Sequence, residues 1–200
     1  MKIIVIGATG TIGREVAKAA IAKGHDVVSA SRRGEVKVDL ENAASIRALF
    51  GAVSHADAVV CCAGEAAFKP FADLTDADYQ LGLRSKLMGQ VALARVAKDH
   101  LNDSGSITLT AGILAREPMV GSASVSLINA GLEGFTRAAA LEMPRGLRIN
   151  VVSPPWVTET LAKLGMDTAI GLTAARVAGA YLAAVEGTYQ GVVLDPRRLG

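Results

Sequence analysis

A short apolar run, Ile3 to Ile6, feeds directly into Gly7-Ala8-Thr9-Gly10-Thr11-Ile12-Gly13 and then into a helical pattern. Glycines fit where a chain must turn sharply, bring backbone N–H groups against an anion with no Cβ in the way, and pack the next helix closely on the strand. A helix beginning near Thr11 points its positive end at that anion. The pattern implies a strand, turn and helix built around the pyrophosphate of a dinucleotide.

The rest of the chain alternates β-branched runs with longer helical patterns, which implies an α/β fold with a parallel sheet of about seven strands. The first helix covers Thr11 to Lys23 and stops at Gly24, and a second strand follows at Asp26 to Ala30. Ser31-Arg32-Arg33-Gly34 separates it from a third strand at Glu35 to Leu40, too short a gap for a crossover helix. Further helices are expected over Asn42–Gly51, Thr75–His100, Ser122–Met143 and Thr173–Glu186. Further strands are expected at Asp57–Cys62, Ser106–Thr110, Leu147–Val152 and Gly191–Leu194. Thr75 with Asp78 three residues on reads as a short-armed capping box.

With 200 residues and no linker, repeat or low-complexity tract, the chain reads as one domain spanning 1–200. Its two cysteines, Cys61 and Cys62, are adjacent, poorly placed to pair with each other and outside any metal-ligand spacing, so no metal and a reducing, cytoplasmic compartment are expected. No apolar run approaches the ~20 residues of a membrane span. The net charge of +2 comes from mixed signs without a basic block, so neither a membrane nor a nucleic-acid partner is expected.

Several motifs together resemble the short-chain dehydrogenase/reductase superfamily over essentially the whole chain. The Gly7/Gly10/Gly13 spacing is closer to the extended or atypical branches. Val38-Asp39-Leu40 sits where the family carries an adenine-binding aspartate, and Cys61-Cys62-Ala63-Gly64 resembles its Asn-Asn-Ala-Gly segment. Leu132-Glu133-Gly134-Phe135-Thr136-Arg137-Ala138 resembles the body of its catalytic helix, and Arg148-Ile149-Asn150-Val151-Val152-Ser153-Pro154 its sixth-strand segment. The resemblance implies a single-domain, doubly wound Rossmann fold with the helix between strands two and three trimmed. Relatives pair through the two long central helices, so it also implies a homodimer or homotetramer. It further implies a cofactor site drawn from Gly7, Thr9, Gly10, Thr11, Ile12, Gly13, Ser31, Arg32, Arg33, Asp39, Leu40, Cys62, Ala63, Gly64, Asn129, Pro154, Trp156 and Val157.

Family members interconvert carbonyls and alcohols with a tyrosine as acid or base, a lysine, a serine and an asparagine. Those positions fall here on Val125, Asn129, Gly112 and Lys86, and no Tyr-x-x-x-Lys occurs elsewhere in the chain. Lys86 and Asn129 thus look like an exchange of the family's asparagine and lysine. Lys86 is expected either to bring charge to the nicotinamide end of the site or to snorkel past an apolar subunit interface. Ser122, Ser124 and Ser126 cluster where the tyrosine would stand, but serine serves better as a helix cap than as an unaided acid. No catalytic residue is assigned.

At the end of strand two an acid reads the NAD ribose and a base reads the NADP phosphate. Arg32 and Arg33 there favour NADP over NAD, because a guanidinium forks onto phosphate with charge-assisted bonds. Two functions follow: an NADP-dependent oxidoreductase with a non-standard site and a small carbonyl or alcohol substrate, or an inactive dinucleotide-binding pseudoenzyme or sensor.

Overall fold

The computed structural model describes residues 1–199. Seven parallel strands lie in the order β3-β2-β1-β4-β5-β6-β7. They are β1 Lys2–Ile6, β2 Asp26–Ser31, β3 Val36–Lys37, β4 Ala58–Cys61, β5 Ser106–Thr110, β6 Arg148–Val152 and β7 Val193–Leu194. Successive side chains of a strand point to opposite faces. Ile3 and Val5 accordingly pack with α1 (Thr11–Ala22) and α7 (Ala174–Glu186), around Val16, Val177 and Tyr181. Ile4 and Ile6 pack with α2 (Ala43–Ala52), α4 (Gly89–His100) and α5 (Ala123–Ala139), around Leu49, Leu93 and Leu132. Both faces are covered, which is why the strands read as unbroken apolar runs.

Only Arg32 to Glu35 separates β2 from β3, with no helix between them. β3 is shorter than the Glu35–Leu40 expected. After Val38 donates to the Ser31 carbonyl (3.1 Å), the Asp39 amide turns to Ser45 Oγ (2.9 Å) and the chain leaves the sheet. α5 ends at Ala139, not Met143, in a 3₁₀ turn ahead of Pro144. The segment after β6 also forms a short helix, α6 (Thr158–Lys163), that periodicity does not reveal.

The Thr75–Asp78 capping box forms and starts α3 (Asp76–Gly82). The helix then widens into a π-helical stretch over Leu83–Met88 before continuing as α4. π-helical turns are uncommon and often accompany functional sites. Just beyond it, buried Gln90 clips the helix to the end of β5: its Nε2 donates to the Thr110 carbonyl (2.9 Å) and its Oε1 accepts the Thr110 amide (2.8 Å). Replacing Gln90 with alanine strands both backbone groups in the core. Each costs about 1–3 kcal/mol, so urea titration of Gln90→Ala is expected to show a lowered midpoint at unchanged slope, equivalent to a loss of at least about 1 kcal/mol.

Candidate cofactor and substrate site

Strand order reverses outward from the β1–β4 pair, and the crevice this leaves at the strands' carboxyl ends is where open α/β sheets bind ligands. Gly7 closes β1 with φ +82°, and a Cβ on it would lie 3.0 Å from the Cys62 carbonyl. Its own carbonyl accepts the Gly10 amide (2.9 Å), and a Cβ on Gly13 would fall 2.2 Å from that oxygen. The turn therefore exists only with glycine at these places. α1 opens at Gly10 without a side-chain cap and without an acid in its first turn. Among the described residues, the amides of Thr11, Ile12 and Gly13 have no backbone acceptor. An uncapped helix end with no local carboxylate fits a pyrophosphate.

A cavity of about 350 Å³ runs from this turn to the end of β2. Gly7, Thr9 and Gly10 form one side, Ser31, Arg32 and Arg33 the far end, and Asp39 and Leu40 the wall behind. Ser31 Oγ is buried there with no hydrogen-bond partner. Arg32 donates to Glu65 at 2.7 Å, with both side chains more than half exposed. Such a surface pair contributes only ~0–1 kcal/mol, so the guanidinium can turn to another acceptor at little cost.

A second cavity, about 440 Å³, shares Cys62, Ala63 and Gly64 with the first and lies beyond them. Ile12, Val125, Pro154, Trp156 and Val157 give it an apolar wall, and Phe68 meets Trp156 edge-on with ring centroids 5.4 Å apart. Its one charged side chain is Lys86, from the π-helical stretch. Lys86 Nζ donates to Asn129 Oδ1 (2.7 Å) and to the Ala111 carbonyl (2.9 Å). No carboxylate pairs with it among the described residues, and burial holds its ammonium down to about 8. Gly64, φ +135°, admits the lysine stem: a Cβ there would come within 2.7 Å of Lys86 Cγ. Gly112 does the same for the amide, since a Cβ there would lie 2.8 Å from Asn129 Nδ2.

The residues proposed from sequence fall into place unevenly. Of the eighteen, Thr11 and Gly13 line neither cavity. The Thr11 hydroxyl accepts from Lys163 of α6 (3.1 Å), and Gly13 packs behind the turn. Ser122 stands at the start of α5 but does not cap it: its hydroxyl accepts the Met119 amide (3.1 Å) and pairs with Ser126 (3.0 Å). Lys86 reaches the apolar cavity, where it bonds Asn129. The reading from sequence overlooked Phe68, whose place four residues beyond Gly64, after Glu65 and two alanines, was its one signal. His25, His55 and His100 lie at the opposite edge of the sheet, ahead of β2, β4 and β5, where His25 meets Glu186 and His100 stacks on Phe50.

A parallel, doubly wound sheet with a glycine turn at its switch point is a dinucleotide-binding fold. A family model described as Enoyl-(Acyl carrier protein) reductase matches residues 7–184. The chain belongs to this family, within the short-chain dehydrogenase/reductase superfamily. A protein from Listeria innocua has the same fold over 98% of both chains, at TM-score 0.92 and 39% identity. A small-chain dehydrogenase solved in complex with NADPH aligns at TM-score 0.86 and 28% identity, covering 98% of this chain and 95% of the other. Among curated sequences, hydroxynaphthalene reductase of Aspergillus fumigatus is 29% identical over 73% of this chain, and the match spans 59% of the reductase's own length.

Gly112 makes a sharp test of the local geometry. Gly112→Ser puts a Cβ and a hydroxyl into the space of the Asn129 amide, an overpacking that costs about 1–3 kcal/mol. Thermal denaturation is expected to show a lowered midpoint. The paired change with Asn129→Ala is expected to recover part of the loss, as coupled neighbours do.

Proposed function

We propose that the chain is an NADP-dependent oxidoreductase that interconverts a small, partly apolar carbonyl and its alcohol without the usual tyrosine. The observation that carries this reading is the junction of the two cavities at Cys62-Ala63-Gly64. One end of the resulting trench is polar and carries two arginines, the middle is the glycine turn, and the far end is apolar with one ammonium. That sequence of surfaces matches a phosphorylated adenosine, a pyrophosphate and a nicotinamide with its substrate. Bound NADPH would supply a hydride; the protein's part is to hold the two partners close and keep water away.

Ser31, Arg32 and Arg33 support the choice of NADP. The buried, unpartnered Ser31 hydroxyl and two guanidinium groups suit an added 2′-phosphate and leave a bare 2′-hydroxyl without a carboxylate acceptor at the end of β2. The NADPH complex of the related small-chain dehydrogenase agrees with this choice. Asp39 and Leu40 would flank the adenine, Thr11 and Ile12 would turn their amides to the pyrophosphate, and Ala63, Gly64 and Val157 would bracket the nicotinamide. Self-association belongs to the same reading, with Met88 and Leu127 exposed on the long central helices as its apolar contacts.

A second reading, a dinucleotide sensor, draws on the lack of tyrosine, histidine or carboxylate among the residues lining the apolar cavity. It differs in that NADPH is bound and never consumed. Calorimetry with NADPH and NADH is the first test. We expect micromolar NADPH affinity, about −8 kcal/mol, with NADPH favoured at least tenfold over NADH. The double variant Arg32→Ala/Arg33→Ala is expected to lose that preference and leave NADH unchanged. No binding of either nucleotide would overturn the proposal.

A further inference from the structure

The apolar cavity contains few groups able to give up a proton, and the structure disposes of all but one. The Thr110 hydroxyl is already shared between the Cys61 carbonyl (2.5 Å) and the Tyr181 hydroxyl (2.7 Å). Trp156 Nε1 donates to Met119 Sδ, and the Asn129 amide and Thr160 alcohol are not acids at ordinary pH. The Cys62 thiol is pushed up by burial and by its neighbour Cys61, away from useful acidity. Lys86 remains. Its ammonium has three N–H groups, and two of them are taken by Asn129 Oδ1 and the Ala111 carbonyl. The third has no protein acceptor among the described residues, and the side chain borders the cavity.

We propose that Lys86 is the proton donor for carbonyl reduction in this cavity, with Asn129 as the residue that positions it. The inference rests on the oxidoreductase reading above. The substrate carbonyl carbon gains a hydride, with its electron pair, from the nicotinamide donor. The C=O π pair moves onto oxygen, and that oxygen takes a proton from Lys86: one N–H bond breaks and one O–H bond forms. The neutral amine then regains a proton from solvent, and in alcohol oxidation the same amine is the base.

Geometry and acidity agree. A cation held by two neutral oxygens with no counter-ion is a costly arrangement for mere structure. Burial brings the ammonium to about 8, near the range where a general acid is both protonated and willing to release its proton. The other titratable groups facing it are Cys61 on β4, pushed up to about 12, with Cys62 and Tyr181 behind it, both also raised by burial. α5 presents only the neutral Asn129, and Glu65 on the adjoining loop lines the first cavity and not the apolar one. Lys86 is then the group that titrates near pH 8.

The test compares wild type with Lys86→Arg, Lys86→Met and Asn129→Ala, after circular dichroism establishes that each is folded. Carbon-13 NMR of lysine-labelled protein, without cofactor, is expected to give one Cε signal titrating near pH 8 that is missing from Lys86→Met. NADPH calorimetry on the same proteins reports cofactor binding separately. The rate is then read with NADPH and a series of aryl aldehydes, 4-nitrobenzaldehyde first. Wild-type reduction is expected to fall as pH rises through about 8. Lys86→Arg keeps the charge but cannot release its proton, and is expected to lose about 10²-fold or more in kcat. Asn129→Ala removes a bond to the charged form, so the falling limb should move to lower pH. An active Lys86→Arg with the limb intact or an unshifted lysine signal would overturn the donor role alone, whereas a wild type that binds NADPH yet reduces no aldehyde would overturn the oxidoreductase reading together with it and favour the sensor. Absence of NADPH binding would overturn the reading beneath it.

Discussion

The Gly7 carbonyl is the point on which the site depends. It accepts the Gly10 amide, faces Gly13 at a distance no side chain would permit, and belongs to a residue pressed against the Cys62 carbonyl. Three elements, β1, α1 and β4, therefore meet through backbone alone. Backbone-to-backbone contact leaves no flexible side chain to absorb an error, so the helix terminus is held at a fixed distance from the end of β4. The two cavities meet at that end of β4. A looser turn would let α1 drift outward, and the two cavities would no longer share Cys62, Ala63 and Gly64.

The far end of the trench has its own set of mutual dependencies. Gly64 makes room for the Lys86 stem, Gly112 makes room for the Asn129 amide, and the π-helical stretch carries Lys86 into the space they open. Gln90, just past that stretch, anchors the same helix to Thr110, whose hydroxyl in turn joins Cys61 and Tyr181. Each group occupies space or supplies a bond that another needs. A substitution at one of them therefore acts on the lysine, whichever residue is changed.

Much of the scaffold was legible in the sequence because its signals are local. Short apolar, β-branched runs, the glycine turn, the Thr75–Asp78 cap and the bare Arg32–Glu35 connection each announce themselves within a few residues, and each appears in the structure. The parts that were not legible depend on distant contacts. Nothing near Val38 says that Ser45 will take the Asp39 amide and end β3 early, nor does the pattern around Leu83–Met88 reveal a π turn. The Lys86–Asn129 pair joins residues from two helices whose register only the packing of Gly82 on Ile128 and of Gly131 on Leu87 brings into line. Resemblance could mark both positions as exchanged without saying that the exchange restores an ammonium to the cavity.

The charge distribution along the trench makes a final point about selectivity. The first cavity mixes Arg32 and Arg33 with Asp39, Glu41 and Glu65, a polar surface open to solvent where charges are screened and interchangeable. The other end has one cation facing aromatic and aliphatic walls, where the same charge acts through a lower dielectric and counts for more. On the proposed reading, an uncharged carbonyl oxygen would gain from that ammonium most strongly as it acquires negative charge, which is the condition for favouring a transition state over a ground state. A bulky or zwitterionic compound would instead set unmatched polar groups against Phe68, Val125 and Trp156. On that reading the cavity would discriminate by apolar shape and by one developing charge, with few polar groups left to read other features of a substrate.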